Sequence, residues 1–192
     1  MKRSILIATG LALTLITGCV VNSVYPFYTA QEEVFDPALA GTWVDSDAAK
    51  EAKDYWQIDQ SGAKGYLLAN VENDQTNHFE AHLFRLKENT FLDLCPTNRV
   101  ESQLPLHFLL KIEQAPNSFQ FQMLDLEWLS KLLDKEPNAL RHILIPENPG
   151  NTNSLQLVLT ADTAELQKFI LTHISDTNAF TSKKEMKRRE RL

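Results

Sequence analysis

The chain of 192 residues is 43% hydrophobic and 23% charged, the balance of an ordinary globular protein, and this excludes a disordered or low-complexity chain. Its formal charge is −6; losing a leader that holds Lys2 and Arg3 takes this to −8, and the last ten residues, with six Lys or Arg against two Glu, hold +4, so residues 19–182 carry −12. So acidic a body repels nucleic acid, and none is expected as a partner.

Behind Lys2 and Arg3, Ser4 to Thr17 is mostly Ile, Leu, Ala and Thr. A basic start, an apolar middle and a small-residue end predict a signal peptide over residues 1–18, and the run is too short to span a bilayer comfortably. It closes on Ile16-Thr17-Gly18-Cys19, which resembles the lipobox of bacterial lipoproteins. That resemblance implies cleavage before Cys19, lipidation of Cys19 with two or three acyl chains, palmitate among them, and attachment to a membrane of the cell envelope. Val20 rather than Asp follows the cysteine, which in enteric-type lipoproteins implies the outer membrane, facing the periplasm. About 174 residues remain, enough for one domain with its own core. With Cys19 lipidated, no disulfide is expected from the two cysteines.

Residues 19–36 read as a tether to the anchor. Tyr25, Pro26, Phe27, Tyr28 and Phe35 make it unlike a Gly/Ser linker, and such aromatics are expected to pack back on the domain in preference to the membrane interface. The domain itself is expected over 37–180. It opens at Gly41-Thr42-Trp43, which resembles the first-strand motif of lipocalin-like barrels, where the tryptophan packs across the closed end.

Short strand-like runs follow at meander spacing. They are Tyr55 to Asp59, Gly65 to Val71, Phe79 to Leu86, Thr90 to Cys95, a run in which Phe108, Leu110 and Ile112 alternate with His107 and Leu109, and another in which Phe119, Phe121 and Met123 alternate with Gln120 and Gln122. Clean period-two alternation predicts one buried and one wet face. Two stretches change period. Asp125 N-caps a predicted helix over about 125–135 with Leu129, Leu132 and Leu133 at helical spacing. Asp162 and Glu165 form a capping-box pattern opening a helix over about 162–174, with Leu166, Phe169, Ile170, His173 and Ile174 as its stripe. His142 to Ile145 and Leu155 to Thr160 read as two further strands. The expectation is a mainly β fold, an antiparallel lipocalin-like barrel or sandwich of eight or nine strands with two added helices. Residues 181–192 are expected to form a disordered basic tail, the alternative being a grip on anionic headgroups.

His78, Glu80 and His82 alternate and share a strand face. At 3.2–3.4 Å per residue, the two histidines lie about 13 Å apart, too far to share one ion, so no metal and no other cofactor is expected. Cys95 needs a histidine partner to act as a nucleophile. His107, with His82 and Asp93, completes a candidate catalytic set, although no Gly-x-Ser-x-Gly, P-loop, His-Glu-x-x-His or Rossmann glycine pattern is present. As a binding module, the barrel would offer a pocket lined by Trp56, Phe79, Leu83, Phe108, Leu110, Phe119 and Phe121. Two functions therefore stand: a lipid-anchored envelope module that binds a hydrophobic ligand or an envelope protein, and an envelope hydrolase with its site near His82, His107 and Cys95.

Overall fold

The computed structural model describes residues 20–48, 53–97, 104–148 and 151–189. Cys19 and the leader lie outside them. Eight strands close into an antiparallel barrel, consistent with a lipocalin-like fold. In chain order they are β2 (Gly41–Asp45), β3 (Tyr55–Ser61), β4 (Gly65–Glu72), β5 (Gln75–Leu86), β6 (Asn89–Pro96), β7 (Phe108–Ala115), β8 (Ser118–Met123) and β11 (Lys184–Arg188). The first seven form a simple meander, and β11 closes it by pairing with β8 on one side and β2 on the other. Between β8 and β11 the chain leaves the barrel. It makes helix α1 (Leu126–Lys135), the hairpin β9 (His142–Asn148) and β10 (Asn151–Leu159), and helix α2 (Thr163–His173). A two-residue strand near the start, β1 (Asn22–Ser23), runs parallel to β10 and gives a small side sheet ordered β1-β10-β9.

Two hydrophobic cores result. The first fills the barrel, where the inward residues of each alternating strand meet: Trp43 on β2, Trp56 and Ile58 on β3, Tyr66 and Leu68 on β4, Leu92 and Leu94 on β6, Phe119 and Phe121 on β8. The second lies outside it. Phe84 and Leu86 of β5, Phe91 of β6 and Leu109 of β7 point outward, and the insertion covers them with Leu129 and Leu133 of α1, Leu157 and Leu159 of β10, and Leu166, Phe169 and Ile170 of α2. Strands β5 to β7 are thus apolar on both faces, as strands buried on both faces must be.

Both helices begin where their caps require. Asp125 accepts from the Trp128 backbone N–H at 2.8 Å, and Asp162 accepts from that of Glu165 at 3.0 Å. The Glu165 carboxylate does not reach back to close a capping box. It holds Arg141, which also donates to Asp162.

One end of the barrel is shut by the 3-10 turn Pro37–Leu39, capped by Asp36. The Trp43 indole N–H donates to the Leu39 carbonyl at 2.9 Å. The Arg188 guanidinium lies 4.3 Å from the Trp43 ring centre and donates to the carbonyls of Ala38 and Ala40 at 2.5 and 3.0 Å. Gly41, at φ +143°, has no room for a side chain, since a Cβ there would lie 2.2 Å from the arginine.

Two expectations need correction. The basic segment 181–192 is not a loose tail through Arg188: Lys184–Arg188 is the closing strand, with Met186 buried in the barrel core. A strand this short needs one inward apolar residue, and with charges on either side no alternation is legible. Residues 20–36 are likewise no free tether, their aromatics packing back on the domain as expected. They run as a strap over the outer face of β5 to β7, with Phe27 buried in the second core and Phe35 stacked on Tyr66 at the barrel's closed end.

Candidate functional site

The strap is held by a row of polar side chains that strands β4 to β7 place side by side. Gly65, His82, Asp93 and Leu109 are successive cross-strand partners, so the outward side chains of His82 and Asp93 are neighbours. Ser23 and His107 exchange both backbone hydrogen bonds at 2.8 Å. This brings the His107 ring to Asp93, where Nδ1–H donates to Oδ1 at 2.7 Å; a carboxylate can only accept, which sets the tautomer. The other oxygen, Oδ2, accepts from the Phe27 backbone N–H at 2.8 Å. Asp93 is wholly buried, and these two bonds are what make a buried carboxylate tolerable.

His82 makes the matching arrangement one position along the row. Its Nδ1–H donates to Glu33 at 2.6 Å, and its ring stacks on Tyr28 with centres 4.5 Å apart. Burial raises the Tyr28 hydroxyl's pKa, and the carboxylates of Asp93, Glu33 and Glu80 and the Cys95 thiol raise it further, so Tyr28 stays protonated. The strap is stitched further by Val34 N–H to the Leu83 carbonyl, Arg85 N–H to the Glu32 carbonyl, and the Thr163 and Gln167 side chains to the carbonyls of Pro26 and Phe27.

Beside this latch lies an open cleft of about 520 Å³, lined by Glu33, Ser61, Lys64, Leu67, Glu80 and His82 among others. The His82 ring lies beside Gly65, where a Cβ would stand 3.5 Å from the ring and 3.1 Å from the Ser61 carbonyl. Lys64 closes one wall by donating to the Glu33 carbonyl at 2.9 Å. With Nδ1 committed to Glu33, the His82 ring keeps Nε2 for a further partner.

The four candidate catalytic residues do converge on one outer face. Only His82 faces the cleft, because the strap covers Asp93 and Cys95, which are 0% and 4% exposed. The seven residues expected to line a pocket also meet, inside the barrel, but as packing partners. None is more than 5% exposed; Phe79 and Phe108 meet edge to face at 5.6 Å, and Trp56 lies against both Phe119 and Phe121. An eight-stranded bore is just wide enough for side chains to fill, and aromatics fill it here. Among the described residues no group of three or more His, Cys, Asp or Glu could hold a metal. Sequence reasoning missed Tyr28, Glu33, Ser61 and Lys64. The aromatic density of Tyr25 to Tyr28 signalled packing, but nothing local marks Glu33 as a partner of His82.

No protein-family model, curated protein or solved structure matches the chain.

Proposed function

We propose that this chain is a lipoprotein of the bacterial cell envelope, anchored through lipid on Cys19 in the outer membrane and facing the periplasm, whose barrel presents its outer surface to another envelope protein. The lipobox-like Ile16-Thr17-Gly18-Cys19 supports the anchor. The filled barrel interior carries the interaction reading, since the bore offers a hydrophobic ligand no room among Trp56, Phe79, Phe108, Phe119 and Phe121. The working surface is the cleft beside the strap, where Glu33, Glu80 and the His82 imidazole surround the exposed Leu67. Two carboxylates beside an apolar floor suit a lysine or arginine side chain.

A photo-crosslinking amino acid at Leu67 in cells tests this. A discrete cross-linked envelope protein that disappears when Glu80→Lys is added is the expected result. Native mass spectrometry that finds one apolar molecule per chain would restore the carrier reading and overturn this one.

The hydrolase is the second reading. It rests on His82, which lines the open cleft with Nδ1 bonded to Glu33 and Nε2 left for proton transfer. Turnover of aryl esters lost in His82→Ala but kept in Cys95→Ala would support it, with the cysteine excluded as nucleophile.

A further inference from the structure

Strand β1 leaves almost no chain between Cys19 and the body. Val21 is buried, and Ser23 is fully buried with its backbone N–H and C=O both bonded to His107. Two residues extend at most about 7 Å, whereas the polar layer on each side of a bilayer is about 5–8 Å deep. An acylated Cys19 therefore holds the domain against the membrane surface.

The face that meets the bilayer follows from the side sheet. Because β1 runs parallel to β10, with Asn22 opposite Val158 and Ser23 opposite Leu159, the chain traced backward from Ser23 heads toward the start of β10. On that path Leu157 pairs with Leu144 and then Leu155 with Pro146. Leu144 is 55% and Leu155 48% exposed, and they share one side of the hairpin; Ile143, on the other side, is 47% exposed. Their partners on β10, Leu157 and Val158, are 5% and 2% exposed, so the body covers β10 and leaves the edge strand β9 and Leu155 bare.

The free edge of β9 argues against a protein strand as the occupant. Thr160 N–H donates to the Arg141 carbonyl at 2.9 Å, and Leu159 stands opposite His142. The outward backbone positions of β9 are therefore His142, Leu144 and Pro146. Pro146 has no N–H to offer, a device that blocks strand addition. The headgroup layer demands no such ladder.

We propose, on the reading that Cys19 is lipidated, that the bare edge of the β9–β10 hairpin is a membrane-contact element, with Leu144, Leu155 and Ile143 seated at the headgroup–acyl boundary beside the anchor. It fixes the orientation of the barrel on the membrane as well as its attachment.

The test uses the full-length chain, expressed with its leader and reconstituted in phosphatidylethanolamine/phosphatidylglycerol vesicles. A spin label is placed at Leu155→Cys or, as control, at Asp59→Cys on β3, on the opposite side of the barrel, each with Cys95→Ala. Mass spectrometry of the N-terminal peptide reports the acyl group. The expected result is an acylated Cys19 with the ratio of oxygen to nickel-chelate accessibility several-fold higher at 155 than at 59. Equal ratios on an acylated chain overturn the docking and leave the anchor. An unacylated Cys19 overturns both. Shielding at 155 that persists in a lipid-free Cys19→Ser chain shows contact with a second copy and also overturns the proposal.

Discussion

Replacing Asp93 with alanine tests whether the polar row latches the strap. The substitution strands two donors at once: the Phe27 backbone N–H, on a residue 1% exposed, and the Nδ1–H of a largely buried His107. Each buried donor left unsatisfied costs about 1–3 kcal/mol, so the two together remove roughly 2–6 kcal/mol of the roughly 5–15 kcal/mol that holds a domain together. For a domain of this size each kcal/mol moves the melting temperature by about 2–4 °C, so Asp93→Ala should melt roughly 4–24 °C lower. Asp93→Asn should cost less than half as much, because its carbonyl still accepts from Phe27 and its amide can donate to the other tautomer of His107. Urea unfolding followed by tryptophan fluorescence gives the stability, and hydrogen exchange across residues 20–36 gives the strap. Loss below about 1 kcal/mol, the value of an ordinary exposed contact, with unchanged exchange in the strap, would refute the latch.

Three further outcomes follow from the barrel. Arg188→Ala should cost about 2 kcal/mol by thermal denaturation, through the lost stacking on Trp43 and two carbonyls left without a donor, and Arg188→Lys should not rescue it, since a point charge cannot reproduce the planar fork. Burial, and then the Asp54 carboxylate, hold Glu72 above the usual carboxylate range. The ionised form is disfavoured in the fold, so this cost is present above the raised pKa and relieved as pH falls through it. Glu72→Gln should therefore be more stable than the parent at pH 8, with the gap narrowing as the pH is lowered, in parallel denaturation curves. Ending the chain at Ser182 should abolish cooperative unfolding and protease resistance, because both neighbours of β11 lose their partner.

What the sequence disclosed was whatever repeats locally. Phe119, Phe121 and Met123 alternate with glutamines, and they are a strand; Asp125 and Asp162 stand before helical stripes, and both cap helices. Of the eleven strands among the described residues, eight could be read from such local patterns and β2 from the resemblance at Gly41-Thr42-Trp43. The exceptions, β1 and β11, have two and five residues, and the run from Lys184 to Arg188 offers alternation only one apolar member. Their partners lie more than sixty residues away, which no window along the chain can see. The site divides the same way. His82, Asp93 and Cys95 were visible because they sit on regular strands, and His107 because it stands just before one. That Asp93 would be sealed by Phe27, and His82 held by Glu33, depends on a strap whose residues have no periodicity at all.

The closing strand has a consequence for how the molecule is made. Strand β2 waits for a partner about 140 positions downstream, with two helices and a hairpin synthesised in between. Loop closure over such a span is entropically costly and slow relative to local hairpins, so the meander from β2 to β8 forms first as an open, curved sheet. Until Lys184 to Arg188 arrive, two long edges and the indole of Trp43 stay uncovered. That interval is the time in which a chaperone or a protease meets the protein. The most charged stretch of the sequence is thus also the last to fold, soluble while it waits and sealed only when Arg188 reaches Trp43.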